Sequence, residues 1–122
     1  MPTVRQTFPR TRRLSGKETF EAVYETRVRQ TRGPLTVYAR PNDLPHSRIG
    51  LSVPRRVGTA PRRNRIKRMI RESFRLMQQD WPKGYDLIVV VRPHEPLPLA
   101  DYRSILGDLF RKLQGVWEKK AN

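Results

Sequence analysis

The chain contains no cysteine. Disulfides, thiolate nucleophiles and cysteine-based zinc sites are therefore excluded. Acidic residues are scarce, with 11 Asp and Glu against 26 Lys and Arg and a net charge of +15. The acids are scattered, and no two stand at a spacing that suggests a two-metal centre. The histidines are His46 and His94, each beside a proline and without ligand partners nearby in sequence. No glycine-rich phosphate loop is present, because Gly50 and Gly58 are too far apart to form one. Long hydrophobic runs are missing as well. Leu87-Ile88-Val89-Val90-Val91 is the longest, and a membrane helix needs about 20 apolar residues. The basic N-terminus lacks the apolar stretch of a signal peptide. These absences make the chain a poor candidate for a self-sufficient catalyst or a membrane protein. They lead us to expect a cytoplasmic location, and no small-molecule cofactor or firmly held metal.

What is present is positive charge on a lean but foldable background. At 122 residues the chain suits one domain with a modest core. A charge of +15 opposes compaction and makes sense mainly beside a polyanion. Twenty of the basic residues are Arg and six are Lys, and the planar guanidinium fork suits phosphate oxygens. A GC-rich coding sequence would also raise the Arg share, but it does not account for the net charge.

Local patterns predict a mixed fold. Residues 1–13, with two prolines and four arginines, read as a basic, partly flexible N-terminal tail. Ser15 to Glu18 fits a capping box, and Phe20, Val23 and Tyr24 follow at helical spacing, predicting a helix to about residue 26. Gly33-Pro34 breaks the chain. Leu35–Arg40 and Arg48–Val53 then alternate as strands, and their closeness in sequence predicts an antiparallel hairpin. A long helix is expected over about residues 60–79, stopped by Trp81-Pro82-Lys83-Gly84. Tyr85–Arg92 is apolar on consecutive positions and reads as a central strand. A last helix beginning near Asp101 carries the apolar stripe Tyr102, Ile105, Leu106, Leu109, Phe110 and Leu113. The order α-β-β-(β)-α-β-α makes this an α+β protein, a split α/β sandwich. Residues 14–118 are expected to form a single domain, with 119–122 a C-terminal tail.

The segment Arg62–Arg75, RRNRIKRMIRESFR, holds seven basic residues and one acidic. At about 100° per residue, Asn64, Lys67, Arg68, Arg71 and Arg75 share one face of the helix, and Ile66, Met69, Ile70, Phe74 and Met77 lie opposite. A charged helix face is usually just solvated. This one lacks the usual i,i+4 ion pairs, and it sets Arg62, Arg63 and Arg65 in the first turn, where the helix dipole favours anions. A capping box begun at Thr59 would want Glu at the position that Arg62 occupies. A docked anion would reverse these penalties. The segment therefore reads as a polyanion site.

Aromatic residues lie near this charge in the pattern. Phe20 and Tyr24 share a helix face. Tyr38 points away from Leu35, Val37 and Ala39, and in the expected hairpin its neighbours are the small residues Gly50 and Ser52. A basic groove with aromatic walls suits flexible single-stranded nucleic acid, although Phe20 would serve equally well as a core residue.

Together these residues resemble a known family. Arg63-Asn64-Arg65-Ile66-Lys67-Arg68-Met69-Ile70-Arg71-Glu72 is similar to the signature helix of the protein subunit of bacterial ribonuclease P. Arg48–Gly58, Arg13-Leu14 with Phe20–Tyr24, and Gly84–Arg92 resemble its flanking segments in the same order, spanning about residues 10–115. The departures are mild: Tyr24 stands where Phe is frequent, Pro61-Arg62 where apolar or small residues are common, and Pro54 where a small polar residue is usual.

The resemblance implies a ribonucleoprotein endonuclease that removes the 5′ leader of precursor tRNA, its catalytic site lying in the RNA subunit and using Mg²⁺. It implies that Phe20, Tyr24, Tyr38, Lys67, Arg68 and Arg71 bind the leader. Arg62, Arg63, Asn64, Arg65 and Arg75 would bind the RNA subunit, with Asn64 a possible aid in placing a metal. The implied partners are ribonuclease P RNA, in 1:1 ratio with the protein, and precursor tRNA. A left-handed βαβ crossover is also implied, an exception to the right-handed rule. The alternative reading is a ribosomal or general structural RNA-binding protein without a processing role.

Overall fold

Apolar residues on consecutive positions of a strand need cover on both faces, and the last strand of this chain finds it at the centre of the sheet. The computed structural model describes residues 13–77 and 83–121. Its elements are α1 (Lys17–Glu25), β1 (Arg29–Arg32), β2 (Leu35–Pro41), β3 (Arg48–Ser52), α2 (Ala60–Leu76), β4 (Tyr85–Val91) and α3 (Leu99–Ala121), with a 3₁₀ turn at Arg55–Val57 before α2. The four strands form one sheet in the order β1-β2-β4-β3.

The expected hairpin of β2 with β3 is not formed. β4 lies between them, antiparallel to β2 and parallel to β3. The parallel pairing needs a long crossover, which α2 supplies. β2 makes its hairpin with β1 instead, Arg32 opposite Leu35. The turn is at Gly33, whose φ of 58° suits glycine. Tyr38 therefore faces Ile88 in register, and Gly50 stands one strand further on, opposite Ile88 from the other side.

Period-2 alternation divides the sheet into two faces. Leu35, Val37, Ala39, Ile49, Leu87, Val89 and Val91 pack with Ile66, Ile70 and Phe74 of α2 and the whole expected stripe of α3. Phe74 and Phe110 stack there, with ring centroids 5.5 Å apart. On the other face Ile88 meets Val23 of α1 and Leu14 in a smaller cluster, edged by Phe20, Tyr24, Tyr38 and Val90. That face is only partly covered, and the basic helix stands beside it.

The helix ends differ from the sequence reading in detail. Ser15 forms no capping box. Gly16 is the N-cap of α1, with φ of 96° and no side-chain cap bond. α2 begins as expected, with the Thr59 side chain accepting from the Arg62 amide at 3.4 Å, and it ends at Leu76 rather than near residue 79. The stop expected at Trp81-Pro82 lies outside the described residues. α3 starts at Leu99 and stays helical through residues 119–121, where a tail was expected. Its last turn carries Lys119 and Lys120, which suit the negative end of the helix dipole. Of the expected N-terminal tail, residues 1–12 lie outside the described residues. Arg13 pairs with Ile49 as an isolated parallel bridge, and the Leu14 amide donates to the Ile49 carbonyl at 2.7 Å.

Candidate nucleic-acid interface

α2 buries Ile66, Ile70, Ser73 and Phe74 and turns its cations outward. Asn64, Arg65, Arg68 and Arg71 are exposed, while Arg62, Arg63, Lys67 and Arg75 are half-buried. No acidic residue occupies the first turn. Two ion pairs that sequence reasoning missed relieve the charge. Arg62 Nη2 reaches Glu95 Oε2 at 3.3 Å from the segment before α3. Arg75 grips Glu72 with both nitrogens of its fork, Nε donating to Oε2 at 2.9 Å, and this hydrogen bond is the main cause holding the Glu72 carboxyl below the ordinary carboxylate range. Neither contact is at i,i+4 spacing. Arg63 buries its Nε without a hydrogen-bond partner among the described residues.

Asn64, Lys67, Arg68, Arg71, Glu72, Arg75 and Arg13 line a shallow groove of 390 Å³. Asn64 and Arg75, grouped by the resemblance with the RNA-subunit residues, thus share a groove with three residues of the leader set. A neighbouring hollow of 240 Å³ is lined by Arg13, Leu14, Ser15, Phe20, Ile49, Gly50, Leu51, Lys67 and Arg71. Arg13, Lys67 and Arg71 border both, so the two hollows adjoin in one channel from the cationic face of α2 to the ring of Phe20. Asn64 sits among cations, and the one carboxylate of its groove is held by Arg75. That donor set does not fit a divalent cation held by protein alone. Among the described residues no three His, Asp or Glu side chains gather as a metal site.

The aromatic residues form a row. Phe20 and Tyr24 meet edge to face at 6.4 Å, and Tyr24 and Tyr38 at 4.8 Å. All three rings are half-buried, each keeping part of its surface in solvent. Burial raises the pKa of Tyr24, and a hydrogen bond with Ser52 works against that rise. Beyond Tyr38 the guanidinium of Arg29 lies 5.9 Å from the ring centroid, within cation–π range. Sequence reasoning did not single out Arg29, which the structure sets at the end of the aromatic row. The signal available was Gly33-Pro34, which places a basic strand, Arg29–Arg32, directly before a hairpin turn. The expected floor of Gly50 and Ser52 beside Tyr38 is corrected by the register. Ile88 is the neighbour of Tyr38, and Gly50 instead lies under Phe20.

At one end of this face Asp86 is 2% exposed. It accepts from Arg48 Nε at 2.8 Å and Nη2 at 2.7 Å, and from Asn42 Nδ2 at 2.9 Å. This bidentate pair fixes β3 to β4 and with it the edge of the channel.

Comparison with known proteins identifies relatives of the sequence and of its fold. The sequence profile of the family described as Ribonuclease P matches residues 8–114. The ribonuclease P protein component of Photobacterium profundum is 38% identical over 87% of this chain and 91% of its own length. That of Photorhabdus laumondii is 40% identical over 89% and 92%. The structure of the RNase P protein from Thermotoga maritima superposes with a TM-score of 0.75 at 30% identity, covering 82% of this chain and 96% of that one. With a family profile spanning most of the sequence and a fold that follows it, the chain belongs to the ribonuclease P protein family.

Proposed function

We propose that this subunit of ribonuclease P works as a clamp between two RNAs. The N-terminal half of α2, through Arg62, Arg63, Asn64 and Arg65, together with Arg75, holds phosphates of the ribonuclease P RNA. Lys67, Arg68 and Arg71 hold the backbone of the single-stranded 5′ leader, and its bases stack on Phe20, Tyr24 and Tyr38. The observation that carries this reading is the channel in which Lys67 and Arg71 border both the cationic groove and the hollow at Phe20. Cations track a backbone, and aromatic faces accept any base.

In this reading cleavage belongs to the RNA. Glu72, the carboxylate that lines the channel, is committed to Arg75, and Asp86 on the same face of the sheet is committed to Arg48, which leaves them poorly placed as acid, base or metal ligand. Mg²⁺ then belongs to RNA phosphates, and the protein lowers the metal demand by neutralising neighbouring charge. One protein serves one RNA subunit, in the cytoplasm, through the domain 14–118. No helix among the described residues is long and apolar enough to cross a membrane.

The test is precursor tRNA binding by the reconstituted holoenzyme, with leaders of stepped length at two salt concentrations. Affinity should rise over the first several leader nucleotides and then level. Arg68→Ala and Tyr38→Ala should weaken precursor binding more than mature tRNA binding. Equal losses for both, or no dependence on leader length, would leave only general RNA attachment.

A further inference from the structure

Across the sheet from the aromatic row, on the outer side of α3, lies a larger groove of 710 Å³. None of the residues named above for RNA binding lines it. Its cations are Arg32 from β1 and Arg103 and Arg111 from α3, and no acidic residue is among its lining. The nearest carboxylate, Asp108, is outnumbered. Arg32 Nη1 stands 3.6 Å from it, Arg111 Nη2 3.6 Å and Lys112 Nζ 3.2 Å. Lys112, then Arg32 and Arg111, hold its carboxyl below the ordinary aspartate range. A carboxylate that gathers three cations holds them close together and still leaves excess positive charge.

Two further features suit a ligand here. Arg32 also donates to the Ser104 carbonyl at 3.5 Å, which ties the strand edge to the helix. Gly107 lies mid-helix in the groove lining, where glycine is the poorest helix former after proline. A Cβ built on it would meet Met77 Cε at 3.5 Å, an ordinary contact. Packing does not demand glycine at this position, and the missing side chain leaves the groove wider. The one aromatic in the lining, Phe110, is 2% exposed and has no free face for a base.

We propose that this groove is a second RNA-binding site, separate from the leader channel, which takes a phosphodiester backbone through Arg32, Arg103 and Arg111 without reading bases. RNA is the favoured polyanion on the reading above, which sets this protein between two RNAs. The site would let one protein hold RNA on both sides of its sheet.

The experiment uses the full chain carrying Arg32→Gln, Arg103→Gln and Arg111→Gln together, with ribonuclease P RNA and leader-bearing precursor tRNA as probes. Affinity is read against salt. Loss of three phosphate contacts should make the log–log salt slope shallower by about two to three and weaken binding by about tenfold or more near ~0.1 M salt. A loss in binding the RNA subunit alone assigns the phosphates to that RNA. A loss seen only when the holoenzyme binds precursor assigns them to the substrate. In either case the dependence on leader length should keep its shape, which separates this site from the channel. Ser104→Glu adds a carboxylate at an exposed helical position without removing any arginine, and it should weaken the same binding. Unchanged affinity and salt slope in both variants, with both probes, overturns the proposal.

Discussion

The ring of Phe20 rests on Gly50. A Cβ built on that glycine would lie 2.4 Å from Phe20 Cζ and 2.9 Å from Cε1. The helix and the sheet thus meet through a missing side chain, and Phe20 is held at the end of the channel by the space that glycine leaves. Gly50→Ala should push the ring out of this seat. We expect a destabilisation of about 1–3 kcal/mol from overpacking and a loss of precursor affinity that grows with leader length. Thermal unfolding, with precursor binding at stepped leader lengths, checks both. Unchanged leader dependence would remove Phe20 from the leader path.

Tyr38 can be divided into ring and hydroxyl. Its ring meets Tyr24 edge to face and lies beneath Arg29. Tyr38→Phe keeps both contacts and should bind leader-bearing precursor almost as the parent does. Tyr38→Ala removes a stacking face and should cost about 1–3 kcal/mol of precursor affinity. Mature tRNA, which has no leader, should bind both variants alike. A hydroxyl role would show as a loss in Tyr38→Phe equal to that in Tyr38→Ala.

The sequence made the elements legible, but not the way the strands pair. The apolar stripe of α3 follows from a 3.6-residue period and is buried side chain by side chain, while the two faces of α2 follow it less sharply, with Met69, Lys67 and Arg75 half-buried. The central place of β4 followed from its consecutive apolar residues. The β2–β3 hairpin failed because nearness in sequence favours pairing only until a more apolar strand competes for the same edge, and Leu87–Val91 won it. Within the candidate site, the shared helix face of Phe20 and Tyr24 was readable from their spacing. The seat of Phe20 on Gly50 was not, since it depends on how far the ring reaches from α1, which lies against β2 and β4, toward β3. Ion pairs such as Arg62–Glu95 and Arg32–Asp108 join residues far apart in the chain, and no local pattern announces them.

Gly107 offers a test in which stability and the second groove can be read together. It lies within α3, and a methyl group there meets Met77 Cε at 3.5 Å without conflict. Gly107→Ala should therefore stabilise the helix by about 0.5–1 kcal/mol and raise the melting temperature by several degrees. A drop in melting temperature would mean that the backbone at this position needs glycine, and the argument from an open groove would fail with it.

The pair of Asp86 and Arg48 should be the costliest to break. Asp86 has a side chain 3% exposed, and Arg48 keeps 31%. Besides Arg48, Asp86 accepts from Asn42, whose Oδ1 takes the Leu44 amide at 2.8 Å and whose Nδ2 also reaches the His46 carbonyl at 3.2 Å. One carboxylate thus secures β3 and the loop before it to the central strand. Asp86→Ala leaves the guanidinium of Arg48 without its counter-charge and takes from Asn42 Nδ2 one of its two acceptors. Breaking a buried pair costs about 3–5 kcal/mol, and the remaining exposure of Arg48 places this one near the lower end. The urea midpoint should fall accordingly with the m-value unchanged. Replacing both partners, Asp86→Leu with Arg48→Met, should recover much of that loss, because two apolar side chains leave no stranded charge. If the double variant is as unstable as Asp86→Ala alone, the loss comes from Asn42 and its loop rather than from the ion pair.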